Sequence, residues 1–303
     1  VIAAAMRELP VGVPKLLVST VASGDTRPYA GTADLTMMPA VVDIAGINRI
    51  SQRIFDNAVA AIAAMAETQT AFRPPVSEKP VIAATMFGVT TPCVTAARER
   101  LEALGYEVVV FHATGIGGQA MERLIRDGYI AGVLDVTTTE LADDLVGGVL
   151  SAGPERLTAA GEMGIPLVVS VGALDMVNFG PRETVPPQFA GRHFYEHNPT
   201  VTLMRTTPEE CAELGRRIAM KLNAARGPVM LCLPLRGISA IATVGGVFYD
   251  PAADDALFTA IRGHIADHVT LREFETDIND PAFAAAMADA LHHRVRERER
   301  TAG

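Results

Sequence analysis

The sequence predicts an α/β fold built on parallel sheets in two Rossmann-like subdomains. Three observations carry this. From residue 81 onward, short apolar runs bounded by turn residues alternate with segments of helical periodicity. Apolar residues make up 49% of the 303 residues and charged residues 20%, and Trp is absent. That composition suits layers packed closely through small side chains. One stretch, Tyr106 to Leu124 (YEVVVFHATGIGGQAMERL), sets a strand, a glycine corner and a helix in that order.

In chain order, residues 2–9 read as the end of a helix closed by Pro10, and 14–19 as a short strand. Residues 35–44 read as a strand region interrupted at Pro39. Ile47, Ile50, Ile54, Ala58, Ile62 and Met65 fall on one face of a long helix. Residues 1–70 form the first subdomain, which this reading takes to lack its N-terminal half. Residues 71–79, with Pro74 and Pro75, form a linker, and 80–303 form the second subdomain.

In that second part, 81–86 is a strand. Thr91 and Pro92 open a helix that Gly105 closes. Val108 to Phe111 is the next strand, and the following helix begins near Gln119. Strands follow at 130–136, 166–171, 229–233 and 269–274. Helices are expected at 155–163, around Cys211 to Leu222, from Pro251 through Ile265, and from Asp280, with a frayed tail over 294–300. Residues 178–208, rich in Pro, Arg and His, form a lid, arm or interface.

A net charge of −9 argues against a general nucleic-acid binder, and no run approaches the roughly 18 apolar residues of a membrane span. Cys93, Cys211 and Cys232 are far apart, without metal-ligand spacing, which suits reduced thiols in a cytoplasmic protein.

In a parallel sheet, ligands bind beyond the carboxyl ends of the strands. Four loops fall there: Gly88 to Thr91, Thr114 to Gly118, Thr137 to Glu140, and Gly172 to Asp175. Gly115, Gly117 and Gly118 let backbone approach an anion, and the first amides of the next helix carry its positive dipole end. The spacing matches neither a dinucleotide fingerprint nor a Walker loop, so a tight turn explains it equally well. Thr114, Thr90 and Thr91 offer hydroxyls to phosphate or serve as caps. Arg236 is placed to meet a phosphate. Asp135 and Glu140 are either Mg²⁺ ligands through water or carboxylates satisfied by backbone amides, and Asp175 invites the same two readings. His112 reads as a ring packed at the strand exit, and Cys93 as structural.

HATGIGGQAME (112–122), DVTTTELAD (135–143), VGALDMVNFG (171–180) and GDTRPYAG (24–31) resemble the ATP-binding family of the tomato mosaic virus resistance protein and its uncharacterised bacterial relatives. The resemblance runs along nearly the whole chain. It implies two Rossmann-like subdomains, ATP near a subunit boundary and a homodimer. Gly24, Asp25 and Gly172 thereby join the candidate nucleotide contacts. Family members usually open with a complete first strand and a Gly-Thr-x-Asp-Thr-type loop, and this sequence shows no such opening.

The leading expectation is thus an ATP-binding α/β protein with Mg²⁺ as cofactor, its reaction open. The alternatives are a metabolic enzyme for a phosphorylated or carboxylated small molecule, and a non-catalytic dimeric interaction module.

Overall fold

A two-stranded parallel sheet organises the first of the two units into which the chain divides, Val1–Glu78 and Lys79–Gly303. The structure, a computed structural model, describes residues 1–71 and 79–302. Most of the expected linker lies outside them. The first unit runs α1 (Ile2–Arg7), β1 (Leu16–Ser19), α2 (Arg27–Ala30), β2 (Thr36–Pro39) and α3 (Arg49–Ala71). Its strands pair in parallel from Leu16 opposite Thr36 to Ser19 opposite Pro39. The Lys15 side chain is fully buried, and its ammonium donates to Pro10 O (2.8 Å), Val13 O (2.9 Å) and Asp34 Oδ1 (2.6 Å). A buried ammonium needs all three of its protons bound, and here each has an acceptor.

α3 starts where Asn48 Oδ1 accepts from the amides of Ile50 and Ser51. Ala58 is buried and Ile54, Ile62 and Met65 are half-buried, as the helical spacing predicts. Ile47 and Ile50 depart from that face, at 79% and 54% exposure. A sheet of two strands gives the first turn of a 23-residue helix little to lie on.

The second unit runs β3 (Val81–Met86), α4 (Thr91–Ala103), β4 (Glu107–His112), α5 (Ile116–Arg126), β5 (Gly132–Thr137), α6 (Glu140–Val146), α7 (Ala159–Glu162), β6 (Leu167–Gly172) and β7 (Met176–Phe179). It continues with β8 (Phe194–Asn198), β9 (Val201–Arg205), α8 (Pro208–Asn223), β10 (Val229–Pro234), α9 (Pro251–His264), β11 (Thr270–Phe274) and α10 (Pro281–Ala302). Six strands make one parallel sheet in the order β11-β10-β6-β5-β3-β4.

Successive side chains of a strand face opposite sides, so strands apolar at every position need cover on both. Ile82, Ala84, Leu134 and Val168 pack in one layer with residues of α4 and α10, including Leu101 and Phe283. Ala83, Val133 and Val169 pack in the other with Met121, Leu214, Ile218 and Leu257 from α5, α8 and α9. Gly215 of α8 packs so closely on α9 that an added Cβ would lie 2.6 Å from Leu257 O.

Four elements differ from the sequence reading. Beyond the edge loop expected at Thr137 to Glu140, where no helix was expected, residues 140–146 form α6, closed by Gly147 in the left-handed region at φ +97°. The helix expected over 155–163 shrinks to Ala159–Glu162. The 178–208 segment is not a bare loop: β7, β9 and β8 make an antiparallel sheet in that order. The frayed tail is instead the last turns of α10, with Val295 buried against the core.

Candidate functional site

The strand order reverses between β3 and β5, and the crevice there is the expected ligand position in an open parallel sheet. In this chain hydroxyls hydrogen-bond across it. Thr85 Oγ1 donates to Asp135 Oδ1 at 2.7 Å and accepts from Thr137 N at 3.0 Å. The hydroxyls of Thr90 and Thr137 lie 2.7 Å apart. Gly172 abuts the same wall: an added Cβ would meet Val136 O, and Thr90 Cγ2 at 3.1 Å.

The glycine corner lies beside this wall, and α5 begins at Ile116 rather than near Gln119. Gly117 and Gly118 therefore sit inside its first turn, and only Gly115 makes the corner, at φ +83°. The close backbone approach expected of these glycines is made by the protein itself. A Cβ on Gly117 would strike His112 O, and one on Gly115 would lie 2.8 Å from Ser151 O. The amides of Gly115 and Gly118 donate to one oxygen, Glu140 Oε1, at 2.7 and 3.1 Å. The anion at this helix N-terminus is a side chain of the chain. A phosphate does not fit while Glu140 is there.

Glu140 is tied down from its other side by Arg156, a fully buried arginine that the sequence reading did not single out. Arg156 Nε donates to Glu140 Oε2 at 2.6 Å, Nη1 to Asp135 Oδ2 at 2.5 Å, and Nη2 to Asp135 Oδ1 at 2.7 Å. Glu122 lies 3.5 Å from Nη1 and accepts from the amides of Leu157, Thr158 and Ala159, at the start of α7. Burial works against the guanidinium charge, but Asp135, Glu140 and Glu122 hold its pKa well above the usual value. Burial raises the pKa of Glu122, partly offset by Arg156. Asp135 and Glu140, the candidate Mg²⁺ ligands of the sequence, both face this guanidinium. Both carboxylates are spent on a guanidinium, which a magnesium ion would have to displace. The amide reading holds for Glu140, while Asp135 is satisfied by Arg156 and Thr85.

A sequence signal for this cluster existed. Glu122 occupies a buried position of α5 together with Gly118, Met121 and Ile125, and Asp135 interrupts a buried strand. Charges at core positions require a buried partner of opposite sign.

Further along the edge, Asp143 takes Asn178 N, Asn178 Nδ2 and Leu150 N. Burial pushes its carboxyl up to about 7. Arg205, at the end of β9, donates to Asp254 Oδ1 (2.7 Å), Phe248 O (2.9 Å) and Thr206 Oγ1 (2.8 Å). It thereby ties the antiparallel sheet to the loop that precedes α9. Asp175 is buried beside the same arginine, its Oδ2 accepting from Ser239 Oγ at 2.8 Å.

Two cavities flank that loop. One, of about 370 Å³, is lined by Arg192, His193, Arg205, Thr206 and Phe248 among others. The second, of about 340 Å³, is lined by Arg236, Arg262, Asp254, Phe258 and Glu275 among others. Tyr249 and Pro251 belong to both walls, and Tyr249 is 46% exposed. Each arginine is backed by a carboxylate: Arg192 by Glu210, Arg205 by Asp254, Arg236 by Glu275 and Arg262 by Glu273.

The structure thus gathers Gly115, Gly118, Asp135 and Glu140 around Arg156, with Thr90 and Gly172 against the adjoining wall. Arg236 lies apart, on a cavity wall. Thr91 Oγ1 donates back to Phe87 O, and Thr114 Oγ1 to His112 O. Gly24 and Asp25 belong to the first unit, where Asp25 pairs with Arg27 at 2.8 Å. His112 is exposed, its ring 5.5 Å from that of Phe87. Cys93 and Cys232 are buried, which pushes both thiols up to about 12. Among the described residues, no helix is long and apolar enough to cross a membrane.

Two family models cover the chain. The N-terminal domain of an uncharacterised protein family (UPF0261) matches residues 1–71, and the C-terminal domain of that family matches 79–295. The chain belongs to this family. A member from Clostridium tetani is 57% identical over 289 residues, covering 95% of this chain and 71% of the relative. One from Rhizobium meliloti is 53% identical over 294 residues, covering 96% and 72%. The ToMV resistance protein Tm-1(GCR237) of Solanum lycopersicum is 48% identical over 295 residues, covering 96% of this chain and 39% of that longer protein. Among solved structures, an esterase domain from Rhodothermus marinus superposes with a TM-score of 0.39 at 17% identity, over 74% of this chain and 89% of the other.

Proposed function

We propose that the chain binds an anionic small molecule at the carboxyl edge of its second unit, with a nucleotide such as ATP as the first candidate. The reading rests on one observation: a half-exposed tyrosine divides two cavities whose walls carry arginines on both sides. A flat ring such as a nucleobase stacks on Tyr249. An anionic tail then reaches Arg192 and His193, near Pro208 and Pro251, where α8 and α9 begin and their dipoles favour negative charge. Cavities of 340 and 370 Å³ sit near the lower end of the ~300–1,000 Å³ usual for small-molecule sites. The resemblance to an ATP-binding family supports the same ligand class. The glycine corner has no part in this reading, because Glu140 fills it.

The carboxylates behind the arginines orient the forks but leave little net positive charge. Stacking and shape therefore contribute at least as much as charge, and binding depends only weakly on salt. Isothermal calorimetry of the whole chain with ATP, AMP and ribose 5-phosphate tests the reading. Heat with ATP and AMP is expected. No heat with any of the three at millimolar ligand overturns it. Heat with ribose 5-phosphate alone supports the second reading, a metabolite site without nucleotide, which one cavity of 370 Å³ accommodates by size.

A homodimer belongs to the same proposal. Ile47 and Ile50, at the start of α3, are more than half exposed, apolar side chains that a second copy covers. A monomer in light scattering overturns that part.

A further inference from the structure

We infer that the corner at Gly115–Gly118 is a receptor for a planar carboxylate. The chain fills it with its own Glu140, and it accepts free acetate once that side chain is cut back to alanine. The seat has two halves. Two backbone amides hold Oε1, and the Arg156 guanidinium holds Oε2 at 2.6 Å. One oxygen on an amide pair and the other on a guanidinium is how a planar monoanion is gripped. Glu140 is fully buried, so an outside anion must first expel a carboxylate that has no water to go to.

The walls keep the seat open when its occupant is removed. Gly115 is pinned against Ser151 O and Gly117 against His112 O, so the amides cannot close the gap. Glu140→Ala deletes one methylene and one carboxylate, the heavy atoms of acetate. Charge then selects among entrants. Asp135 and Glu122 stay beside Arg156. A monoanion restores the native charge of the cluster, whereas a phosphate dianion adds one further negative charge next to two carboxylates. In the native chain the corner is closed to nucleotide, wherever nucleotide binds. The inference is independent of the Tyr249 cavities, because its readouts are at other residues.

The test has two arms. In the ¹⁵N-labelled native chain, the Gly115 and Gly118 amide resonances stay in place on addition of ATP or inorganic phosphate. A saturable shift of either overturns the inference. In the second arm Glu140→Ala and Glu140→Gln are melted in sodium acetate, sodium phosphate and sodium chloride at equal ionic strength. Acetate raises the melting temperature of Glu140→Ala saturably and by several degrees more than it raises that of Glu140→Gln, whose amide still fills the seat, while phosphate raises both variants alike. Should Glu140→Ala fold only in acetate, the inference is upheld. Equal acetate effects on the two variants, or no folding of Glu140→Ala in any of the three salts, defeats it.

Discussion

Arg156 grips Asp135 with a two-pronged hydrogen bond, Nη1 to Oδ2 at 2.5 Å and Nη2 to Oδ1 at 2.7 Å, and no atom of either side chain reaches more than trace solvent. The pair joins β5 to the segment before α7, and Glu140 adds α6 to the same guanidinium. Breaking a buried pair from one side is far costlier than the pair is worth, because a charge stays behind without a partner. Arg156→Met leaves three carboxylates so placed. It is expected to lower the unfolding free energy by about 3–5 kcal/mol in urea titration. Arg156→Lys recovers only part, since an ammonium cannot reproduce the fork. A loss below about 1 kcal/mol for Arg156→Met would show that the cluster contributes little.

Stability should fall as pH rises through neutrality. Burial raises the folded pKa of Asp143 from the ordinary aspartate value of 3.8 to about 7, and that of Asp254 to about 6. A raised folded pKa means that the folded state holds its proton more tightly than the unfolded chain. The contribution is therefore complete below about pH 4 and is lost as pH climbs through 6 to 7. Asp143→Asn, neutral at every pH, is expected to come nearest the native chain at about pH 4 and to exceed it most at pH 8. Guanidinium melts at the two pH values measure this, and an unchanged difference between them would refute it.

Two glycines in helices should respond to alanine with opposite signs. Gly263 in α9 has open space around its Cα, so Gly263→Ala gains about 0.5–1 kcal/mol of helix propensity. Gly117 in α5 would gain as much, but its Cβ would strike the backbone of His112, which cannot move aside. The clash outweighs the propensity, and Gly117→Ala should lose about 2 kcal/mol or more net. Thermal melts of both variants decide, and stabilisation by Gly117→Ala would mean that the corner is looser than described.

Tyr249 can be removed with little effect on the fold, since it is nearly half exposed. If nucleotide stacks there, Tyr249→Ala should weaken ATP binding by about 1–2 kcal/mol, roughly tenfold, with an unchanged melting temperature. Calorimetry alongside a melt separates the two effects. Full affinity in the variant would place the base elsewhere.

Much of the second unit was legible along the chain because buried parallel strands are apolar at every position. Val81–Met86 reads the same in sequence and structure, and the other five strands of that sheet shift by a residue or two at their ends. What escaped had weaker local signals. α6 is a seven-residue helix carrying Glu140, Asp143 and Asp144, polar enough to read as loop until its carboxylates find buried partners. β8 and β9 gain their pairing only from each other and from β7, across Pro-rich chain.

By itself the sequence determined the alternation of strand and helix, the parallel sheet, and the meeting of several edge loops at one end of it. These follow from periodicity and chain direction, which are local. The tertiary structure alone decided what occupies that meeting place. A glycine corner presents amides to whichever anion comes near, and residues 25 positions further along brought one in Glu140, locked by Arg156. The spacing of glycines describes a seat, but which group sits in it depends on long-range packing.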